Sequence, residues 1–145
     1  MKSKLLHKEA DEKSYVVVFD TGEEVSRGLI EFAEREQIRA GRFSGIGALR
    51  ELTLGYFDWQ KKEYSKIPVH EQVEVLSLAG NLVTSPDGPK LHAHIVVGKR
   101  DGTAHGGHLI DAIVRPTLEV MVVESTSETL KRQHDEASGL ALIKI

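Results

Sequence analysis

Cysteine is absent from the 145 residues, which excludes disulfides and thiolate ligands, so any metal site must be built from His, Asp, Glu or water. Long apolar runs are missing too. No stretch approaches the roughly 20 residues that a membrane helix needs, and the basic residues 1–9 carry no apolar core of secretory length. A cytoplasmic protein with no membrane partner is expected. Nor is there an excess of positive charge: 19 Lys and Arg against 22 Asp and Glu leave a net −3. That balance gives no general attraction to phosphate backbones, which nucleic-acid binders obtain from clustered Lys and Arg. The Gly-rich residues 41–47 lack both the Gly-Lys-Ser/Thr ending of a phosphate loop and the Gly-X-Gly-X-X-Gly spacing, and no Gly-X-Ser-X-Gly elbow occurs. Nucleotide binding and serine hydrolysis are therefore unsupported.

What is present makes one domain: 40% hydrophobic residues in a chain of this length supply a core of their own. Residues 1–13 are polar and mixed in charge and read as a flexible arm or a short first strand; residues 14–145 form the domain. Tyr15-Val16-Val17-Val18-Phe19 is a strand, ended by Asp20-Thr21-Gly22. One long helix over about residues 22–38 should follow. Asp20 or Thr21 can cap it, Glu23 and Glu24 suit its first turn, and Val25, Leu29, Phe32 and Ala33 fall on one face. Residues 42–57 read as strand, their glycines marking bulges or close backbone approach, and residues 59–68 as a hairpin return or edge strand. Residues 73–83 alternate, with Val73, Val75, Ser77 and Ala79 on one side and Glu74, Leu76 and Leu78 on the other. Apolar on both faces, this strand should be central. Residues 109–124 read as a strand pair or one bent strand, 125–138 as a loop with a helical turn near 128–134, and 139–145 as a closing strand. The sum is an α+β fold, one helix packed on a mainly antiparallel sheet.

The chemistry concentrates in Leu91-His92-Ala93-His94-Ile95-Val96-Val97-Gly98. In an extended strand His92 and His94 project from the same face while Ala93 and Ile95 face the other way. The turn cluster Lys99-Arg100-Asp101-Gly102-Thr103 folds the chain back and carries His108 towards the pair. Three neutral imidazoles with one open position form an arrangement used where a divalent metal also holds water or substrate. The plainer account is that seven histidines in one chain sometimes fall near one another and are merely hydrogen-bonded. His105, at odd spacing from His108, should face the other side unless Gly106-Gly107 bends the chain. Glu51, Glu74, Glu119 and Glu124 are carboxylates near strand ends, any of which could act as base or further ligand. Lys99-Arg100 and Lys131-Arg132 read as solvated charge pairs.

Phe43-Ser44-Gly45-Ile46-Gly47-Ala48-Leu49, Leu76-Ser77-Leu78-Ala79-Gly80-Asn81, Leu91-His92-Ala93-His94 and Gly106-Gly107-His108-Leu109, in this order, resemble the plants-and-prokaryotes-conserved (PPC) domain, in its stand-alone prokaryotic type. The resemblance covers about residues 14–124. It implies a compact α+β homotrimer, and a relation to the domain of plant nuclear proteins in which it follows an AT-hook. This chain has no Arg-Gly-Arg-Pro hook. The His-X-His and Gly-Gly-His pattern is also similar to that of acetolactate decarboxylases, where three histidines hold zinc; carried over, the ligands are His92, His94 and His108. Two functional expectations result. One is a homotrimer binding zinc or another divalent metal through these three residues, a metal-assisted enzyme if a small carbonyl substrate reaches the ion. The other is a non-enzymatic module that binds DNA or a partner protein.

Overall fold

A computed structural model of the chain shows a nine-stranded sheet with a single helix. Strand β1 (Lys2–Lys8) pairs antiparallel with β2 (Glu12–Asp20). Of the two readings of residues 1–13, a flexible arm or a short first strand, the structure shows the strand, all seven of its residues exposed. Helix α1 (Val25–Glu36) is shorter than the span of 22–38 expected from sequence. Its cap is Glu24, not Asp20 or Thr21: the Glu24 carboxylate accepts from the Ser26 and Arg27 amides at 2.9 and 2.7 Å. Asp20 ends β2, and the Thr21 hydroxyl donates to the Pro116 carbonyl. The turn is spent before the helix starts. Val25, Leu29, Phe32 and Ala33 are buried as their spacing requires.

Strand β3 (Ala40–Asp58) forms the spine, pairing with β4 (Glu63–Val69), β5 (Val73–Ser85) and β7 (Ala104–Ser125). Strand β6 (Gly88–Gly98) pairs with both β5 and the start of β7. Strands β3, β5, β6 and β7 therefore close on themselves. Their inward side chains, with those of β2, Val69 of β4, Ile38 and one face of α1, form a cluster of 26 buried residues, including Phe19, Phe32, Leu78, Leu82 and Ile95. No helix is long and apolar enough to cross a membrane.

Two irregularities decide which side chains face outward. At Gly47 the β3 register shifts, and a Cβ there would lie 2.3 Å from the Thr117 carbonyl oxygen, so the close approach expected of these glycines is real. In β5 a register shift at Leu76 breaks the simple alternation expected from sequence. Val73 and Val75 are buried, but after the bulge it is Leu78 and Leu82 that point into the core, and Ser77, Ala79 and Asn81 that face away. The residues after 125 also depart from expectation. In place of a helical turn near 128–134 stands strand β8 (Lys131–His134), which pairs with β9 (Ala141–Lys144) and touches β5 at Thr84.

Candidate metal centre

The histidine strand β6 is held in the middle of the closed set, and its pairings place the site. Ala93 and Ile95 are buried, so His92 and His94 necessarily stand on the face turned away from the core. His94 pairs directly with His108 across the β6–β7 hairpin, and His108 pairs on its other side with Gly55 of β3. The turn over residues 99–103 makes this register: the Lys99 amide donates to the Thr103 carbonyl, and Asp101 accepts from the Thr103 hydroxyl and amide. Behind the pair, Gly80 of β5 lies against β6 so closely that a Cβ would meet the His92 carbonyl oxygen at 2.2 Å.

The three imidazoles meet. Ring centroids are 5.1 Å apart for His92 and His94, 5.4 Å for His92 and His108, and 5.6 Å for His94 and His108. One ligating nitrogen from each lies within 4.8 Å of the others. Donors sharing an ion at about 2.0–2.1 Å lie at most about 4.2 Å apart, so small ring rotations complete such a set. Tyr64 of β4 stacks on His108, with centroids 4.5 Å apart and an interplanar angle of 25°. The His108 Nδ1 is buried without a hydrogen-bond partner. Burial, aided by the other two histidines, pushes His108 down to about 4. Burial, with the Arg132 guanidinium and His94, also lowers His92. Both are thus neutral near pH 7, the protonation state a metal requires of them.

The structure separates the remaining candidates from this centre. His105 pairs with Val97 in unbroken register and faces the side opposite His108, with Gly106-Gly107 introducing no bend. Glu124 is buried at the far end of β7, where it accepts from Lys13 Nζ at 3.4 Å and the Arg39 amide at 3.2 Å. It lines a larger cleft, about 570 Å³, beside the end of α1. Glu51 pairs with Arg50, and Glu74 and Glu119 lie opposite Gly98 and Ile46. No carboxylate lines the cleft of about 200 Å³ that His92 and His108 share with Tyr64, Arg132 and residues of β9.

Arg132 is the residue sequence reasoning misplaced. Far from being a solvated charge, it is partly buried, its Nη2 donating to Asn81 Oδ1 at 2.6 Å and its Nη1 to the Ala141 carbonyl at 2.8 Å. Asn81 pairs with His92. Tyr64 was likewise visible only as a hairpin residue. Neither carries a local signal for the site, because both reach it through strand pairings distant in sequence.

The chain is similar to a metal-containing protein from Archaeoglobus fulgidus, at 37% identity over 100% of both chains with a TM-score of 0.86. A protein from Bacteroides thetaiotaomicron proposed to bind DNA is 33% identical, over 98% of this chain and 96% of that one, again with a TM-score of 0.86. An α-acetolactate decarboxylase from Bacillus subtilis shares the fold alone: 13% identity and a TM-score of 0.51, over 88% of this chain and 58% of that one. No curated protein matches the chain. A family model matches residues 6–126, and with that span of the sheet and all three histidines inside it, the chain belongs to the Plants and Prokaryotes Conserved (PCC) domain family.

Proposed function

We propose that His92, His94 and His108 hold a divalent metal, zinc by preference, in a cytoplasmic homotrimer that acts on a small carbonyl-bearing molecule. The observation that carries this reading is the convergence of three imidazole nitrogens within 4.8 Å, one ring having a buried nitrogen with no other partner. The donor chemistry fits: three neutral nitrogens suit a borderline ion and leave a fourth position open. An ion so bound supplies Lewis acidity towards a carbonyl, or lowers the pKa of its water to about 7. The protein's own part is orientation. Tyr64 fixes the plane of His108, and the β6–β7 pairing fixes the spacing of His94 and His108.

The metal-containing Archaeoglobus relative supports the reading. The test is elemental analysis of the purified protein beside a variant with all three histidines changed to Ala. About one ion per chain in the parent and none in the variant is expected. Metal retained by the variant, or absent from the parent after zinc is added, would overturn the assignment.

A second reading, a DNA-binding module, is favoured by the Bacteroides relative. Against it stands the net charge of −3. A gel-shift titration with duplex DNA at low salt separates the two, since no shift removes the DNA reading and leaves the metal centre untouched.

A further inference from the structure

The cleft beside the three histidines has a charge opposite to that of the whole protein. Lys90 and Arg132 line it and no acid does, although the chain as a whole carries −3. Arg132 appears in no ion pair, and its Nε is buried without a hydrogen-bond partner. A guanidinium taken partly out of water ordinarily acquires a carboxylate or phosphate that its planar fork can grip. Here two neutral oxygens, Asn81 Oδ1 and the Ala141 carbonyl, hold it in position and leave its charge uncompensated. Its location is set by the same strand pair that sets His92, because Asn81 and His92 are register partners.

We propose that Arg132, assisted by Lys90, is an anion seat for the ligand of this site, and that the ligand is a short-chain carboxylate. Its acid group meets Arg132 while an oxygen on the adjoining carbon reaches the ion held by the histidines. The second half of that statement rests on the metal reading above; the first half does not. An organic anion is favoured over an inorganic one by the other wall, where Leu91, Leu140 and Leu142 offer apolar surface. At about 200 Å³ the cleft is smaller than the 300–1,000 Å³ typical of drug-sized ligands. It therefore suits a molecule of a few heavy atoms.

The experiment is calorimetric titration of lactate, lactamide and inorganic phosphate into zinc-treated and zinc-free protein, with zinc content measured on every sample. Lactate is expected to bind, and lactamide, which lacks the charge, to bind at least about tenfold more weakly. Arg132→Gln should weaken lactate about ten- to hundredfold, as loss of charge-assisted hydrogen bonds does, with zinc content unchanged. Arg132→Lys should recover part of the loss, and Lys90→Gln, at an exposed position, provides a second reading should Arg132→Gln misfold. Equal binding of lactate and lactamide, or lactate binding indifferent to both Arg132→Gln and Lys90→Gln, would overturn the anion seat. Phosphate binding more tightly than lactate would overturn the carboxylate assignment. Arg132-dependent lactate binding in a protein that takes up no zinc would support the seat and sink the metal reading alone.

Discussion

His108 has its ring stacked on Tyr64, two imidazoles beside it and a buried Nδ1 without a partner. Without metal, that environment opposes its protonation, chiefly through burial. Its pKa is about 4 in the folded chain and about 6.5 in an unfolded one. Between these values the unfolded chain binds the extra proton, so stability falls as pH falls through the window from 6.5 to 4 and is unaffected above it. Thermal unfolding of chelator-treated protein should therefore show a lower midpoint at pH 5 than at pH 7, and His108→Phe, which keeps an aromatic ring but cannot titrate, should narrow that difference. A second residue acts through space alone. At Gly80 an added Cβ would lie 2.2 Å from the His92 carbonyl oxygen and 2.5 Å from the Phe43 ring, so Gly80→Ala must push β5 and β6 apart. Overpacking of this kind costs about 1–3 kcal/mol. Denaturant titration should register that loss, and zinc titration should show weaker uptake, since the displaced backbone carries His92.

Among the elements, the β8–β9 hairpin contributes Arg132 and, through Leu140 and Leu142, part of the apolar wall of the cleft, but none of the three clustered histidines. Its turn is held by the Asp135 carboxylate, which accepts from the Ser138 amide at 2.9 Å and its hydroxyl at 2.7 Å, while the Leu140 amide donates to that hydroxyl. Ser138→Ala removes the two hydroxyl contacts, at a cost of about 0.5–1.5 kcal/mol for each such bond. The loss should be local. Hydrogen exchange should accelerate at the β8 and β9 amides while those of β6 and β7 keep their protection and zinc content is unchanged. The same elements show what a sequence can reveal. Helix α1 and the hairpin that joins His94 to His108 were legible because their signals are local: a 3.6-residue apolar face, an alternating strand and an Asp-Gly turn. The bulge at Leu76 was not, since nothing in residues 73–83 distinguishes a broken alternation from a continuous one until β6 pairs with them. Strand β8 was invisible for a similar reason. Lys131-Arg132-Gln133-His134 has no strand propensity of its own, and its conformation comes from its partner β9 and a contact with β5. Arg132 consequently looked like solvent-facing charge.

On the scale of the whole molecule, the two sides of the closed strands are unequal. The inner side is filled by the core and α1, whereas the outer side leaves Ile46, Leu76, Val96 and Met121 between 40% and 62% exposed. Ile46 and Met121 are diagonal neighbours across β3 and β7, and Val96 stands two residues beyond His94 on the same face of β6. Apolar side chains gathered on one face are a burden for an isolated chain and an asset for an oligomer, because covering them removes apolar area from water at about 25 cal/mol per Å². If the proposed homotrimer buries this face, a charge placed in its middle must be desolvated on assembly, and Ile46→Glu should shift the protein from trimer towards monomer in sedimentation velocity. The metal content of that monomer is the more telling measurement. All three proposed ligands come from a single chain and are positioned by pairings within it, so zinc should stay with the monomer at about one ion per chain. Loss of zinc in step with loss of the trimer would mean that a neighbouring chain completes the site, and that assembly, not the β6–β7 hairpin alone, is what brings the donors to the ion.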